Sequence, residues 1–359
     1  VGDALRVGLV GIGTISGQYL HTLAGLSEVD VVAAADLDPT RSVPGVRTMT
    51  PAELYASDDV DLVLNLTVPA AHAAVSLAAI AAGKHVYSEK PLALSTVEGR
   101  EVLAAAASAG VRVGCAPDTV LGTGTQTARR CVDDGAIGTP VAATAFMVTP
   151  GHERWHPSPE FYYQPGGGPL FDMGPYYLTA LVTLLGPIRR VSGMASTPKS
   201  ERTIGSGPRE GTTFPVTTPT HITGTLEHES GALTTLLMSF DVWAANLPRI
   251  EIHGTAGSLS VPDPNGFTGD VTLFDTKEWH PIPPTAGDPD AGRGTGVADL
   301  ATALANNTPH RANGELAYHV LDVMESLLHA TKTGRTEAIT STCPTPASLA
   351  LKPRESGFA

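Results

Sequence analysis

Cysteine is nearly missing from this sequence: Cys115, Cys131 and Cys343 are the only three in 359 residues. So few thiols, odd in number and widely spaced, exclude a disulfide framework and a Cys-based zinc site; buried thiols in a reducing compartment are expected. Long apolar runs are missing as well, and none approaches the ~18 residues a bilayer-crossing helix needs. Basic charge is short, with 23 Lys and Arg against 36 Asp and Glu, a formal charge of −13. A net anion neither neutralises phosphates nor is drawn to anionic lipid, so neither nucleic acid nor a membrane surface is an expected partner. Internal repeats and low-complexity tracts are also lacking. The first strand-like run, "LRVGLVG", begins at residue 5 and leaves no room for a signal peptide; a cytoplasmic location is expected.

Hydrophobic residues make up 42% of the chain, enough for sizeable cores, and the length suggests two domains. In the first third, "LRVGLVG", "VDVVAAAD", "VDLVLNL", "KHVYSEKP" and "VRVGCAP" read as short buried strands. Helical patterns over about residues 14–26 and 70–82 separate them, as does "STVEGREVLAAAASAG" with Ser95 and Glu98 as a capping box. Such alternation means a parallel sheet covered on both faces. From about residue 139 strand-like runs follow one another across Gly/Pro turns, which predicts a largely antiparallel sheet with late helices in "GVADLATALAN" and "GELAYHVLDVMESLLHAT". Residues 197–211, polar and rich in Gly and Pro, read as an exposed loop.

"VGLVGIGTISG" sets Gly11 and Gly13 between the first strand and the first helix. A dinucleotide fold needs a tight turn there, with Thr14 and Ile15 leading into a helix whose N–H groups face a pyrophosphate. The third small position is Ser16, followed by Gly17. Asp36 ends the second strand where a carboxylate can accept from ribose hydroxyls, with Leu37 and Arg41 beside it. Its charge repels a 2′-phosphate and favours NAD over NADP, while Arg41 pulls the other way. The plain alternative is a packing turn, with Asp36 capping nearby amides.

"GHERWHPSPE" carries His-Glu-Arg-Trp-His, the spelling of a zinc-peptidase helix. Pro150 and Gly151 before it, and Pro157 and Pro159 after it, leave barely one turn, too little to aim residues four apart at one metal. No metal is expected. His152, Arg154, Trp155 and His156, followed by Phe161, Tyr162 and Tyr163, read instead as a sugar-contacting rim: rings cover C–H faces while His and Arg donate to hydroxyls. A loop packed on its own aromatics is the competing account.

Glu89-Lys90-Pro91 in "SEKPLAL", with "GGGPLFDMGPYY" and "VPAAH", resembles the glucose–fructose oxidoreductase and inositol dehydrogenase family, Gfo/Idh/MocA, and the likeness runs through nearly the whole chain. The resemblance implies an α/β N-terminal Rossmann domain, here residues 1–120. It also implies an α+β C-terminal domain, residues 121–359, whose large, mostly antiparallel open sheet carries substrate and builds a homo-oligomer. It makes Lys90 the catalytic lysine at the nicotinamide ribose and the reacting hydroxyl, with Glu89 near the same ribose. Thr67, Pro69 and His72 fall in the loop under the nicotinamide, and Asp172 matches the aspartate of the second motif. Tyr176 stands where many relatives have histidine, and the two side chains differ by more than ~3 units in ordinary pKa.

The residues add their own argument. Asp172, Tyr176, Thr179 and Thr183 form one polar stripe on an otherwise apolar helix, and a carboxylate there needs a partner, for which Lys90 is expected. Alternatively Asp172 caps the helix with Pro175 in its first turn, and the threonines bond back to their own backbone. Asp118 and His319 are further candidates for substrate contact, set against an ordinary Asp-Thr turn for Asp118 and a satisfied core histidine, the favoured reading, for His319. The expectation is an NAD-dependent oxidoreductase acting on a secondary alcohol of a sugar, cyclitol or glycoside, with Lys90, Asp172 and Tyr176 handling the proton. A redox-neutral NAD enzyme that cleaves glycosides and a non-catalytic NAD-binding sensor are the alternatives.

Overall fold

β1 (Leu5–Val10) is central to its sheet, and its Val7 and Leu9 are fully buried. The chain then runs through α1 (Ser16–Leu23), β2 (Val29–Ala35), β3 (Arg47–Met49), α2 (Pro51–Ala56) and β4 (Leu62–Asn65). It continues through α3 (His72–Ala81), β5 (His85–Ser88), α4 (Thr96–Ala109) and β6 (Val113–Cys115). In this computed structural model, which describes residues 4–353, the six strands form a parallel sheet in the order β3-β2-β1-β4-β5-β6. The order reverses beside β1, which puts the ligand-binding switch point at the carboxyl ends of β1 and β4. β3 and α2 were not foreseen, although the Thr50–Glu53 capping box and Pro51 at the helix start are a readable signal for α2.

The second architecture begins with α5 (Thr123–Asp133), also unforeseen, and β7 (Pro140–Val148). α6 (Gly168–Leu185), β8 (Ile188–Ser196), β9 (Glu201–Thr203), β10 (Thr213–Pro215), β11 (His221–His228) and β12 (Leu233–Ser239) follow. β13 (Ile250–Gly254), β14 (Ser258–Val261), β15 (Val271–Phe274) and β16 (Trp279–Ile282) extend the sheet. α7 (Thr295–Ala305), α8 (Gly314–Thr333) and β17 (Glu337–Ala338) close the series. Nine strands pair in the order β16-β15-β14-β13-β7-β12-β11-β8-β17, antiparallel except for β7 beside β12. α6, buried along nearly its whole length, packs on β7, β11 and β12. Residues 197–211 are not simply an exposed loop: β9 pairs with β10, and Arg202 is buried.

The expected single cut after residue 120 needs correction. Residues 288–321 belong with the first unit, and the second comprises 123–287 and 322–352. The reason is hydrophobic: Val297, Leu300 and Ala301 of α7 join Val7, Leu9 and Tyr19 in one core. Among the described residues, no helix is long and apolar enough to cross a membrane.

Candidate active site

In the first unit the two loop glycines do different things. Gly11 leaves β1 at φ +100°, and a Cβ there would lie 2.7 Å from the Leu66 carbonyl oxygen, so only glycine fits. At Gly13 an added Cβ would meet nothing within 4 Å; the backbone is open to a ligand. Thr14 and Ile15 stay in the turn, and α1 starts at Ser16, whose hydroxyl donates to the Gly13 carbonyl at 2.7 Å.

Asp36 accepts from the Ile12 amide at 2.7 Å and the Asp38 amide at 2.9 Å, with Arg41 at 3.5 Å. The capping role therefore exists, and it ties the end of β2 to the glycine turn. A carboxylate has about four acceptor positions, so two amides leave capacity for ribose hydroxyls. Leu37 is 93% exposed and Val68 is 68% exposed, large apolar side chains just past the ends of β2 and β4. A turn only glycine can make, an open backbone at Gly13 and apolar faces at the strand ends fit a dinucleotide.

Pro69 opens a short 3-10 turn before α3. Asn65 holds the turn, accepting from the Thr67 hydroxyl at 2.6 Å and donating to the His72 carbonyl at 3.0 Å. The buried His72 ring sits 2.7 Å from the Pro91 carbonyl and 3.0 Å from the Thr67 carbonyl, joining this turn to the Lys90-Pro91 turn. Burial holds its pKa below the ordinary histidine value. Glu89, buried, accepts from the Tyr19 hydroxyl at 2.8 Å and the Lys90 amide at 3.0 Å, so its carboxylate fixes the backbone that presents Lys90.

Two expected substrate contacts lie in the interior instead. Asp118 is fully buried; its Oδ2 accepts the Gly294 and Gly296 amides at 2.8 and 3.0 Å, tying a loop down. Desolvation raises its pKa to about 6. His319, on α8, is likewise fully buried, the placement of a core histidine.

In the second unit α6 begins at Gly168, which puts both Asp172 and Pro175 inside the helix. Asp172 is therefore no cap. Its Oδ2 lies 2.8 Å from Nε2 of His152. The His152 ring is packed by Phe240 at 4.4 Å, Tyr162 at 4.7 Å and Trp155 at 5.3 Å between centroids. Tyr176, one turn after Asp172, is 5% exposed. Thr183 does bond back to its helix, at 2.7 Å from the Thr179 carbonyl.

The His-Glu-Arg-Trp-His segment is a single 3-10 turn, His152–Arg154, and its three metal-type side chains diverge. His152 goes to Asp172, while His156 packs edge-on against Phe161 and Tyr162. Glu153 turns inward to the Tyr163 hydroxyl and to Arg202 at 2.9 Å, and Arg202 also pairs with Asp241. The Tyr163 hydroxyl in turn accepts the His152 amide at 3.0 Å. Burial and the neighbouring Glu153 push the Tyr163 phenol well above its ordinary pKa. Arg154 lies 4.4 Å over the ring of Trp243, which is 71% exposed, and Trp155 is 58% exposed.

Residues 5–116 match the oxidoreductase family with an NAD-binding Rossmann fold, and residues 125–260 match the GFO/IDH/MocA C-terminal domain. The chain belongs to the Gfo/Idh/MocA family of NAD-binding oxidoreductases.

Within this family it is similar to a 1,5-anhydro-D-fructose reductase of Ensifer adhaerens, 27% identical across 93% of this chain and 98% of that one. An inositol 2-dehydrogenase of Saccharopolyspora erythraea is 35% identical over 39% of this chain and 44% of its own length. In fold it resembles levoglucosan dehydrogenase solved with NADH and L-sorbose, with a TM-score of 0.79, 19% identity and coverage of 95% and 100% of the two chains. As a Gfo/Idh/MocA protein it brings Gly11, Gly13, Asp36, His72, Glu89 and Lys90 onto one unit, and His152, Arg154, Trp155, Asp172 and Tyr176 onto the other. Sequence reasoning missed Arg202, Phe240, Asp241 and Trp243. Each lies more than ~35 residues from the loop it supports, and no local pattern marks such a contact.

Proposed function

We propose that this protein is an NAD-dependent dehydrogenase or reductase acting on a secondary alcohol of a sugar, cyclitol or glycoside. The observation that carries the reading is the Asp172–His152 pair in a rim of aromatic rings, on a chain whose other unit has the NAD-binding fold. Bound NAD supplies the hydride acceptor. Gly11, Gly13 and the start of α1 hold the pyrophosphate, and Asp36 takes the adenosine ribose. With Arg41 already engaged by Asp36 and Asp38, the pocket favours NAD over NADP. Lys90 steadies the substrate oxygen as it becomes anionic, while Asp172 and Tyr176 orient the hydroxyl. Trp155 and Trp243 cover C–H faces of the ring, and Arg154 and His156 donate to its hydroxyls.

We also place the protein in a reducing cytoplasm, in keeping with its three buried thiols, and as a homo-oligomer through the nine-stranded sheet. Register aligns Met194, Thr223, Leu237 and Phe146 in one row across β8, β11, β12 and β7, on the face away from α6. Met194 is 78% exposed, so this apolar row supports a self-association face. The function is tested by offering polyols, hexoses, aminosugars and glycosides with NAD or NADP and reading reduced-nicotinamide absorbance. Turnover with NAD on at least one of these classes is expected. Turnover with NADP alone, or with none of them in either direction, would refute the reading.

A further inference from the structure

We propose that His152 is the group that takes and returns the proton of the reacting hydroxyl, through Nδ1, with Asp172 holding the opposite ring nitrogen; this rests on the oxidoreductase reading above. The proposal comes from how the imidazole is held. Nε2 lies 2.8 Å from Asp172 Oδ2, and a carboxylate can only accept there, so Nε2 carries the hydrogen and the lone pair is left on Nδ1. Among the described residues Nδ1 has no hydrogen-bond partner, and it is not sealed from solvent.

Two buried histidines of this protein are used differently, and a third, His310, is held through Nε2 by the Val113 carbonyl rather than by a carboxylate. Both His72 nitrogens face carbonyls, of Pro91 and Thr67, and both His228 nitrogens face protein oxygens, of Gly186 and Thr234. Those are structural rings. His152 is anchored through one nitrogen only.

Its surroundings make it a fixed base rather than a mobile one. Phe240 and Tyr162 lie against the ring, and the His152 amide donates to Tyr163, itself locked by Glu153 and Arg202. The titratable and charged groups facing it are Asp172 from α6, Glu153 and His156 from its own loop, and Tyr162 and Tyr163 just beyond. A phenol, ordinarily titrating near ~10, is a poor base at neutral pH, whereas imidazole ordinarily titrates near neutrality. His152 therefore does the work that Tyr176 was expected to share, and Tyr176 keeps a positioning part. In the oxidation the hydroxyl O–H bond breaks and its proton forms an N–H bond at Nδ1. The O–H electron pair closes the carbonyl, and the C–H pair leaves as the hydride that NAD accepts. Asp172 stabilises the resulting imidazolium, and reduction runs the same steps backwards.

The test compares full-length wild type with His152→Asn, Tyr176→Phe and Asp172→Asn. In 15N-histidine NMR spectra, the signal missing from His152→Asn should report the Nε2–H tautomer in wild type, and a mixture in Asp172→Asn. His152→Asn should lose about 10²–10⁴-fold in turnover with NADH affinity unchanged, should lose the acidic limb of its pH profile, and should be partly rescued by added imidazole. Tyr176→Phe should keep that limb. An Nδ1–H tautomer in wild type overturns the proposal, as does a His152→Asn enzyme with the wild-type rate and profile, or loss of the limb in Tyr176→Phe instead. A wild type that binds NADH but turns over no alcohol or ketone overturns it together with the oxidoreductase reading, whereas turnover that is indifferent to His152 sinks this assignment alone.

Discussion

Replacing Asp118 with asparagine should make the protein more stable at neutral pH and change little in acid. The side chain is fully buried, and its Oδ2 takes two backbone amides, bonds that an asparagine carbonyl can also accept. Its Oδ1 is buried without a hydrogen-bond partner, so the ionised form is poorly solvated. Burial raises the carboxyl from 3.8 to about 6. A raised acid pKa means the folded protein binds the proton more tightly than the unfolded chain. Stability from this group therefore falls as pH rises through the window between 3.8 and about 6, and stays low above it. The full shift is worth about 3 kcal/mol, of which about 1 kcal/mol separates pH 7 from pH 5. Urea unfolding of both proteins at several pH values reads this directly, since carboxylates common to both cancel in the difference. Asp118→Asn should lead wild type by the larger margin at pH 7, and the margin should shrink toward pH 5. A margin that is constant with pH, or that grows in acid, would refute the assignment of Asp118 as a destabilised buried acid.

The glycine turn gives a paired prediction. Gly11→Ala puts a Cβ 2.7 Å from the Leu66 carbonyl at a positive φ, so it should lose about 1–3 kcal/mol of stability as well as NADH affinity. Gly13→Ala, with nothing within 4 Å, should melt like wild type yet bind NADH about tenfold or more weakly by fluorescence titration; wild-type affinity would show that Gly13 does not face the cofactor. Arg202→Met should cost roughly 3–5 kcal/mol, because buried Glu153 and partly buried Asp241 lose their shared cation, and an unchanged melting temperature would contradict this.

Much of the first unit was legible because its signals are local. Alternating apolar strands and helices, Gly11 in a strand-to-helix turn and Asp36 at the end of β2 are short-range patterns that a parallel sheet requires. Sequence left Asp118 and His319 open between substrate contact and a turn or core place for a physical reason: an Asp-Thr turn and a helical histidine read alike whether they face water or the interior. The zinc spelling could be judged from sequence because prolines on both sides limit helix length whatever the rest of the chain does.

By itself, then, the sequence determined the parallel strand–helix alternation, the glycine turn and the change to an antiparallel sheet. Each follows from the period of apolar residues and the backbone freedom of Gly and Pro. Only the tertiary structure decided that α7 completes the first core, that Arg202 sits beneath the His152 loop, and that His152 pairs with Asp172. Those contacts join residues 20 to nearly 300 positions apart, and they depend on which buried charge finds which partner. Periodicity fixes the face a side chain takes on its own element, but desolvation selects its partner only once the elements have packed.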